Sequence, residues 1–314
     1  MGTGISSQDD LFLARECFPC DLFRGRSEMA RQPRLFATLP TLLTLCNGLC
    51  GFGAITFAAK VGLAHRIGWG ATDSDCLFIA GVLIFLAMVF DMLDGRAARW
   101  TNQSSQFGAE LDSLCDVISF GVAPAFLLVK FSPEFHPRLL WSIAGLYVIC
   151  ATLRLARFNV ETDEDDAHDH FSGLPSPAAA GTVASFMIAY PELVWRASPQ
   201  GPQVTTWDRW LAVASTTLIP MIQVALPLVT LAVACLMVSR FQYPHLFNQL
   251  FRSGQSAPQL FRLIAGILVC LVVQELAFPL LFLFFALTGP VQTFFQLARK
   301  SHRGDDIAGQ QRTG

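Results

Sequence analysis

Residues 91–116 read DMLDGRAARWTNQSSQFGAELDSLCD, and four aspartates punctuate them: Asp91, Asp94, Asp112 and Asp116. The segments on either side, LFIAGVLIFLAMVF over 77–90 and VISFGVAPAFLLV over 117–129, are apolar enough to enter a bilayer. Carboxylates at such a position are costly and mark function. Four of them within 26 residues repel one another unless cations neutralise them. Oxygen-only ligands suit hard ions, Mg²⁺ or Mn²⁺.

The rest of the composition agrees with a membrane setting. Of 314 residues, 53% are hydrophobic and only 15% charged, where a soluble domain carries about a quarter. Mean hydropathy is +0.45. The reading is an integral membrane protein. The net charge of -2 and the lack of a basic run give no support to nucleic-acid binding. Most of the nine cysteines lie in or beside apolar segments, where they act as small hydrophobes. Cys17 and Cys20 form one C-x-x-C without a second ligand pair, so a zinc site is not expected. The first 35 residues lack a long apolar core of the signal-peptide kind.

Apolar stretches of spanning length place helices near 36–59, 76–98, 109–130, 139–157, 173–195, 210–238, 260–278 and 279–297. The expected architecture is an all-α, polytopic membrane helix bundle of about eight transmembrane helices. It divides into an N-terminal arm (1–35), a six-helix catalytic core (36–238), a loop and C-terminal helical hairpin (239–298) and a disordered tail (299–314). Pro220 and Pro227 are expected to kink or tilt the sixth helix. With both termini inside, the inner segments carry 16 Lys and Arg and the outer segments 6, out of 22. That asymmetry puts the aspartate run on the cytoplasmic side, in a bacterial inner membrane. The arm is either a solvated basic tail or a helix lying on anionic lipid. The acidic stretch from Glu161 to His170 reads as a solvated loop.

Asp91 and Asp94, three apart near the inner end of one helix, share a face, about 4.5 Å apart along the axis. Asp112 and Asp116, four apart at the start of the next, also share a face. The two helices run in opposite directions, so both pairs meet at one membrane depth. Magnesium completes its shell with phosphate oxygens and water, which suits a diphosphate ligand. Gly95 and Gly108 let a ligand approach the backbone. Arg96 and Arg99 offer charge to phosphate. One or two interfacial aspartates would be ordinary; four at this spacing are not.

The spacing D-x2-D-G-x2-A-R-x8-G-x3-D-x3-D matches at every fixed position the signature of the CDP-alcohol phosphatidyltransferase family, and the chain resembles that family over roughly residues 36–238. Three further stretches resemble its serine-using branch: Ser113 to Pro124 with Ser119-Phe120-Gly121, Arg154-Leu-Ala-Arg157-Phe158-Asn159 followed by Phe171 to Ala179, and Leu236 to Tyr243. Thr41 after Pro40 departs from the asparagine frequent there. Asn47 offers a polar contact or a helix-packing hydrogen bond. The resemblance implies that Asp91, Asp94 and Asp112 hold ions, Mg²⁺ or Mn²⁺, with Asp116 completing the site and acting as general base. It implies that Gly95, Ala98, Arg99 and Gly108 line the cytidine pocket. It implies CDP-diacylglycerol and L-serine as substrates, phosphatidylserine and CMP as products, and a homodimer surrounded by membrane lipids. Arg154, Arg157, Asn159 and Ser119 are the candidates for the acceptor or a lipid phosphate, with Arg157 favoured, since arginines at metal depth need anions. For the two arginines, dipole complementarity at a helix C-terminus is the plainer alternative.

Three rivals remain at this point. The same family uses other acceptors: glycerol 3-phosphate, inositol phosphate, choline, or serine on an archaeal-type lipid. An ion-coupled transporter would show repeats or broken helices at the midplane, neither of which is visible. A membrane prenyltransferase would keep its aspartates in separate loops and lack the Asp94-Gly95-x-x-Ala98-Arg99 block.

Overall fold

A heptad-like spacing of small and apolar residues sets each helix against its neighbours. In the computed structural model the described residues are 34–63, 72–101, 106–163, 171–198, 206–239, 241–243, 276–291 and 293. They form α1 (Arg34–Ala59), α2 (Asp73–Thr101), α3 (Gln106–Asp116), a π-helical turn (Val117–Val122), α4 (Ala123–Phe131), α5 (Pro137–Asp163), α6 (Ser176–Ala197), α7 (Thr206–Val238) and α8 (Ala277–Val291). A two-residue antiparallel pair joins Phe171–Ser172 (β1) to Gln242–Tyr243 (β2). Residues 1–38 and 39–314 group as two separate units. The architecture is the expected all-α membrane bundle. Among the described residues, five segments are long and apolar enough to cross a membrane: Leu39–Ala59, Asp73–Ala98, Phe107–Phe131, Pro137–Val160 and Val213–Val238.

Six of the eight expected helices coincide with observed ones, and the described part of the eighth with α8. Residues 260–275 of the seventh expected helix, residues 1–33 of the N-terminal arm with Cys17 and Cys20, His168, His170 and the tail after Lys300 lie outside the described residues, and Ala277 and Phe278 of that expected helix belong to α8. Glu161 and Asp163, expected in a loop, continue α5. The third expected helix, 109–130, is an α–π–α composite. The cause is Pro124. Its ring nitrogen carries no hydrogen, and the ring crowds the carbonyl four residues back, that of Phe120. The helix widens there, and Ala123 N–H reaches five residues back to the Ile118 carbonyl. The Phe120 carbonyl takes its hydrogen bond from the Tyr147 hydroxyl of α5 instead, at 3.1 Å.

α6 is the central helix. It packs along α2 and α7 and buries Ala179, Ala180, Gly181, Thr182, Val183, Ala184 and Ser185 in unbroken succession. Small side chains let these helices approach closely. A side chain at Gly181 would collide with Phe282 of α8, whose ring also lies edge-on to Phe85 of α2 at 5.4 Å.

The buried stripes share a pattern that positions the site. On α2 the core-facing residues are Leu77, Ala80, Ile84 and Ala87, and the same spacing continues to Asp91 and Asp94. On α1 the stripe runs backwards from Ala58 through Ala54 and Gly51 to Asn47 and Thr44. On α5 it runs from Leu140 through Ala144, Tyr147 and Ala151 to Arg154. Each stripe is apolar at one end of the bundle and polar at the other. The alternating chain direction brings those polar ends together, with Asp112 and Asp116 of α3 and Ser176 at the start of α6.

Candidate metal and phosphate site

Asp91, Asp112 and Asp116 bring one carboxylate oxygen each within 4.8 Å of one another. Asp91 comes from the end of α2, and the other two come from successive turns of α3. Asp116 is the last residue of α3, where the π-helical turn begins. Asp116 is buried and Asp91 and Asp112 are half-buried. One oxygen of Asp112, Oδ1, is buried and has no hydrogen-bond partner among the described residues. Three carboxylates this close, one with an orphaned buried oxygen, make a donor set of oxygens that fits a hard divalent cation.

Asp94 stands beside the trio, and its charge acts on Asp112 and Asp116. Its Oδ2 accepts a hydrogen bond from the Thr44 hydroxyl of α1 at 2.9 Å. Asp116 Oδ1 accepts one from the Asn47 side-chain amide at 2.9 Å. The Asn47 carbonyl in turn accepts from Ser119 Oγ at 2.9 Å. α1 comes this close because it presents Gly48 and Gly51 to the next helix. A Cβ at Gly48 would lie 2.9 Å from Cys115 Sγ, and one at Gly51 2.7 Å from the Ser119 Cα.

Arg154 is half-buried, and its charge acts on Asp91 and Asp116. Its Nη1 donates to Ser176 Oγ at 2.6 Å, and its guanidinium lies 5.9 Å from the centre of the Phe158 ring. Ser176 is held by the loop before it. Gly173, at φ +88°, donates its N–H to the Phe241 carbonyl at 2.9 Å, and Leu174 donates to Leu236 at 3.1 Å. A side chain at Gly173 would stand 2.5 Å from the Met237 carbonyl, so the turn needs glycine twice over.

The other expected residues take these places. Gly95 is exposed, and a Cβ there would meet nothing within 4 Å, which leaves its backbone approachable. Ala98 and Gly108 are half-buried on α2 and α3. Arg99 belongs to α2, but its side chain lies outside the described residues. Asn159 donates from its amide to Ser113 Oγ at 2.8 Å, joining α5 to α3. Arg157 is half-buried one turn beyond Arg154. Ser119, expected near the acceptor, is fully buried with its hydroxyl turned to α1. Thr44 and Ser176 carried no role in the sequence reading. Their signal is a polar residue occupying a core position of an otherwise apolar stripe.

The family model described as CDP-alcohol phosphatidyltransferase matches residues 37–218. Among curated proteins, an archaetidylserine synthase of Methanothermobacter thermautotrophicus is 39% identical over 163 residues, 50% of this chain and 62% of that one. A CDP-diacylglycerol–serine O-phosphatidyltransferase of Helicobacter pylori is 45% identical over 101 residues, 32% of this chain and 42% of that one. One of the same name from Saccharomyces cerevisiae is 37% identical over 147 residues, 45% and 50%. The chain thus spans about half the length of the curated relatives it matches.

Proposed function

The chain belongs to the CDP-alcohol phosphatidyltransferase family, and we propose that it transfers the phosphatidyl group of CDP-diacylglycerol to L-serine, giving phosphatidylserine and CMP. The observation that carries this reading is the convergence of Asp91, Asp112 and Asp116 beside the Arg154–Ser176 pair. A carboxylate trio suits a metal-bound diphosphate, and a guanidinium beside it suits an acceptor that carries a carboxylate. Serine stands in the names of the relatives as well.

Asp91, Asp112 and Asp116, with Asp94 beside them, would hold Mg²⁺ or Mn²⁺. When bound, such ions neutralise the diphosphate and the charge on the departing CMP. Gly95, Ala98, Arg99 and Gly108 line the cytidine end. Arg154 holds the serine carboxylate, with Arg157 and Asn159 at the next turn. Asp116, fixed by Asn47, takes the proton of the serine hydroxyl. The serine oxygen forms a bond to the lipid-side phosphorus. The bond from that phosphorus to CMP breaks, and CMP leaves with the electron pair. Burial of the site keeps water from competing for the phosphorus.

The site end of the bundle faces the cytoplasm of a bacterial inner membrane in this reading, and the protein works as a homodimer. The test is the purified full chain with CDP-diacylglycerol, Mn²⁺ or Mg²⁺ and labelled acceptors. Serine is expected to enter lipid with release of CMP. Labelling by glycerol 3-phosphate or inositol phosphate in place of serine would overturn the acceptor, and no CMP release with any acceptor would overturn the transferase.

A further inference from the structure

We infer that Thr44 and Asn47 of α1 are positioning residues that fix Asp94 and Asp116 in the geometry that binds the cation. This rests on the metal-site reading above and extends it to a helix that contributes no carboxylate.

The two residues are three apart and occupy consecutive core positions of one stripe, with Thr44 5% exposed and Asn47 fully buried. Each donates to a different carboxylate, Thr44 to Asp94 of α2 and Asn47 to Asp116 of α3, both at 2.9 Å. One face of α1 therefore ties the two acidic helices together. The Thr44 hydroxyl has a single proton and also lies 3.1 Å from the Pro40 carbonyl. A donor shared between a carbonyl and a carboxylate favours the charged acceptor. A carboxylate accepts and never donates when ionised, so the direction of both bonds is fixed. The Asn47 amide cannot swing away, because Ser119 Oγ holds its backbone carbonyl and Gly51 brings the helices into contact. Its Oδ1 is buried and has no partner among the described residues. A buried orphan acceptor costs free energy unless a ligand or ordered water serves it, so this side chain is placed for something other than packing. Were the role only to join helices, an apolar pair at these stripe positions would do it without leaving an orphaned oxygen.

Outer partners of metal-binding groups change affinity about 10–100-fold when removed. The test uses the full chain in detergent, with Mn²⁺ alone as probe, read by electron paramagnetic resonance and without substrate. Thr44→Val keeps the shape and loses the hydroxyl; Thr44→Ser restores it. Asn47→Leu keeps the volume and loses the amide. Thr56→Val removes an exposed hydroxyl from the same helix, one that donates only to the Phe52 carbonyl. Thr44→Val and Asn47→Leu are expected to raise the Mn²⁺ dissociation constant about 10–100-fold. Thr44→Ser and Thr56→Val stay within about twofold of the parent, and the melting temperature of Thr44→Val stays close to it. In turnover, Thr44→Val should need more Mn²⁺ but recover its rate at saturation, whereas Asn47→Leu loses kcat as well because the base is misdirected. Parent-like Mn²⁺ affinity in Thr44→Val and Asn47→Leu would overturn the positioning role and leave the metal site standing. If the unsubstituted protein itself binds no Mn²⁺, the metal site falls, and this inference with it.

Discussion

The Tyr147 hydroxyl donates to the Phe120 carbonyl at 3.1 Å, in place of the backbone hydrogen that Pro124 lacks. Both partners are fully buried. The bond sets how the π-helical turn leaves Asp116, one residue before it. Tyr147→Phe keeps the ring and strands the carbonyl, at a cost of about 1–3 kcal/mol. The expected outcome is a lower melting temperature in detergent together with reduced kcat. An unchanged melting temperature would show that water or another donor takes the place of the hydroxyl.

Each of Asp91→Asn, Asp94→Asn, Asp112→Asn and Asp116→Asn is expected to lose most CMP-releasing activity while the protein still inserts in membranes. A chelator should abolish the activity and added Mn²⁺ or Mg²⁺ restore it. Of the four, Asp94→Asn should lose least, since one of its oxygens, Oδ2, is already engaged by Thr44. Full turnover in any two of the variants would end the four-carboxylate reading.

How much of this was legible in the chain follows from what each signal depends on. Helix positions come from apolar runs, which are local, so α1, α2 and α7 begin and end close to where hydropathy puts them. The approach of Asp91 to Asp112 and Asp116 was legible because spacing of three and four fixes a helix face. The π-helical turn was not, because Pro124 inside a helix signals a disturbance without saying which neighbour repairs it. Tyr147 lies 23 residues further on. The roles of Thr44 and Ser176 depend on partners 50 and 22 residues away, which no periodicity encodes. Arg157 and Arg154 are one turn apart and alike in composition. Arg154 donates to Ser176 and its charge acts on Asp91 and Asp116, a placement that composition does not announce.

The place of Arg154 gives the next expectation. Arg154→Ala should raise the KM for serine far more than the KM for CDP-diacylglycerol. A lost charge-assisted bond of ~2–3 kcal/mol corresponds to roughly 30- to 150-fold. Arg154→Lys keeps the charge but not the fork and should recover only part of it. Arg157→Ala should move the serine KM less. Equal movement of both KM values in Arg154→Ala would instead assign it to the lipid phosphate.

Gly173→Ala tests the clamp that holds Ser176. A side chain at φ +88° is strained, by about 1–2 kcal/mol, and its Cβ would press on the Met237 carbonyl. Both the melting temperature and the affinity for serine should fall. Serine affinity equal to the parent's would show that the loop is not needed to place Ser176 beside Arg154.

The proposed orientation rests on charge: with both termini placed inside, the inner segments carry 16 of the 22 Lys and Arg. Single cysteines placed at Asn102 and Asp165, in a background lacking the native cysteines, should resist a membrane-impermeant maleimide in sealed cells and react after permeabilisation. Labelling of Asp165→Cys from outside would reverse the topology.

α6 is 22 residues long, yet it is absent from the five segments among the described residues that are apolar enough to cross a membrane: small residues fill most of its first half, and Glu192 and Arg196 lie in its second. Such a segment gains little from lipid and much from neighbours. During synthesis α2 emerges well before it and α7 directly after it, and it packs along both. A nascent chain halted at Ala197 would carry the aspartates, Arg154 and Ser176, but not Leu236 and Phe241, whose carbonyls hold the turn before Ser176.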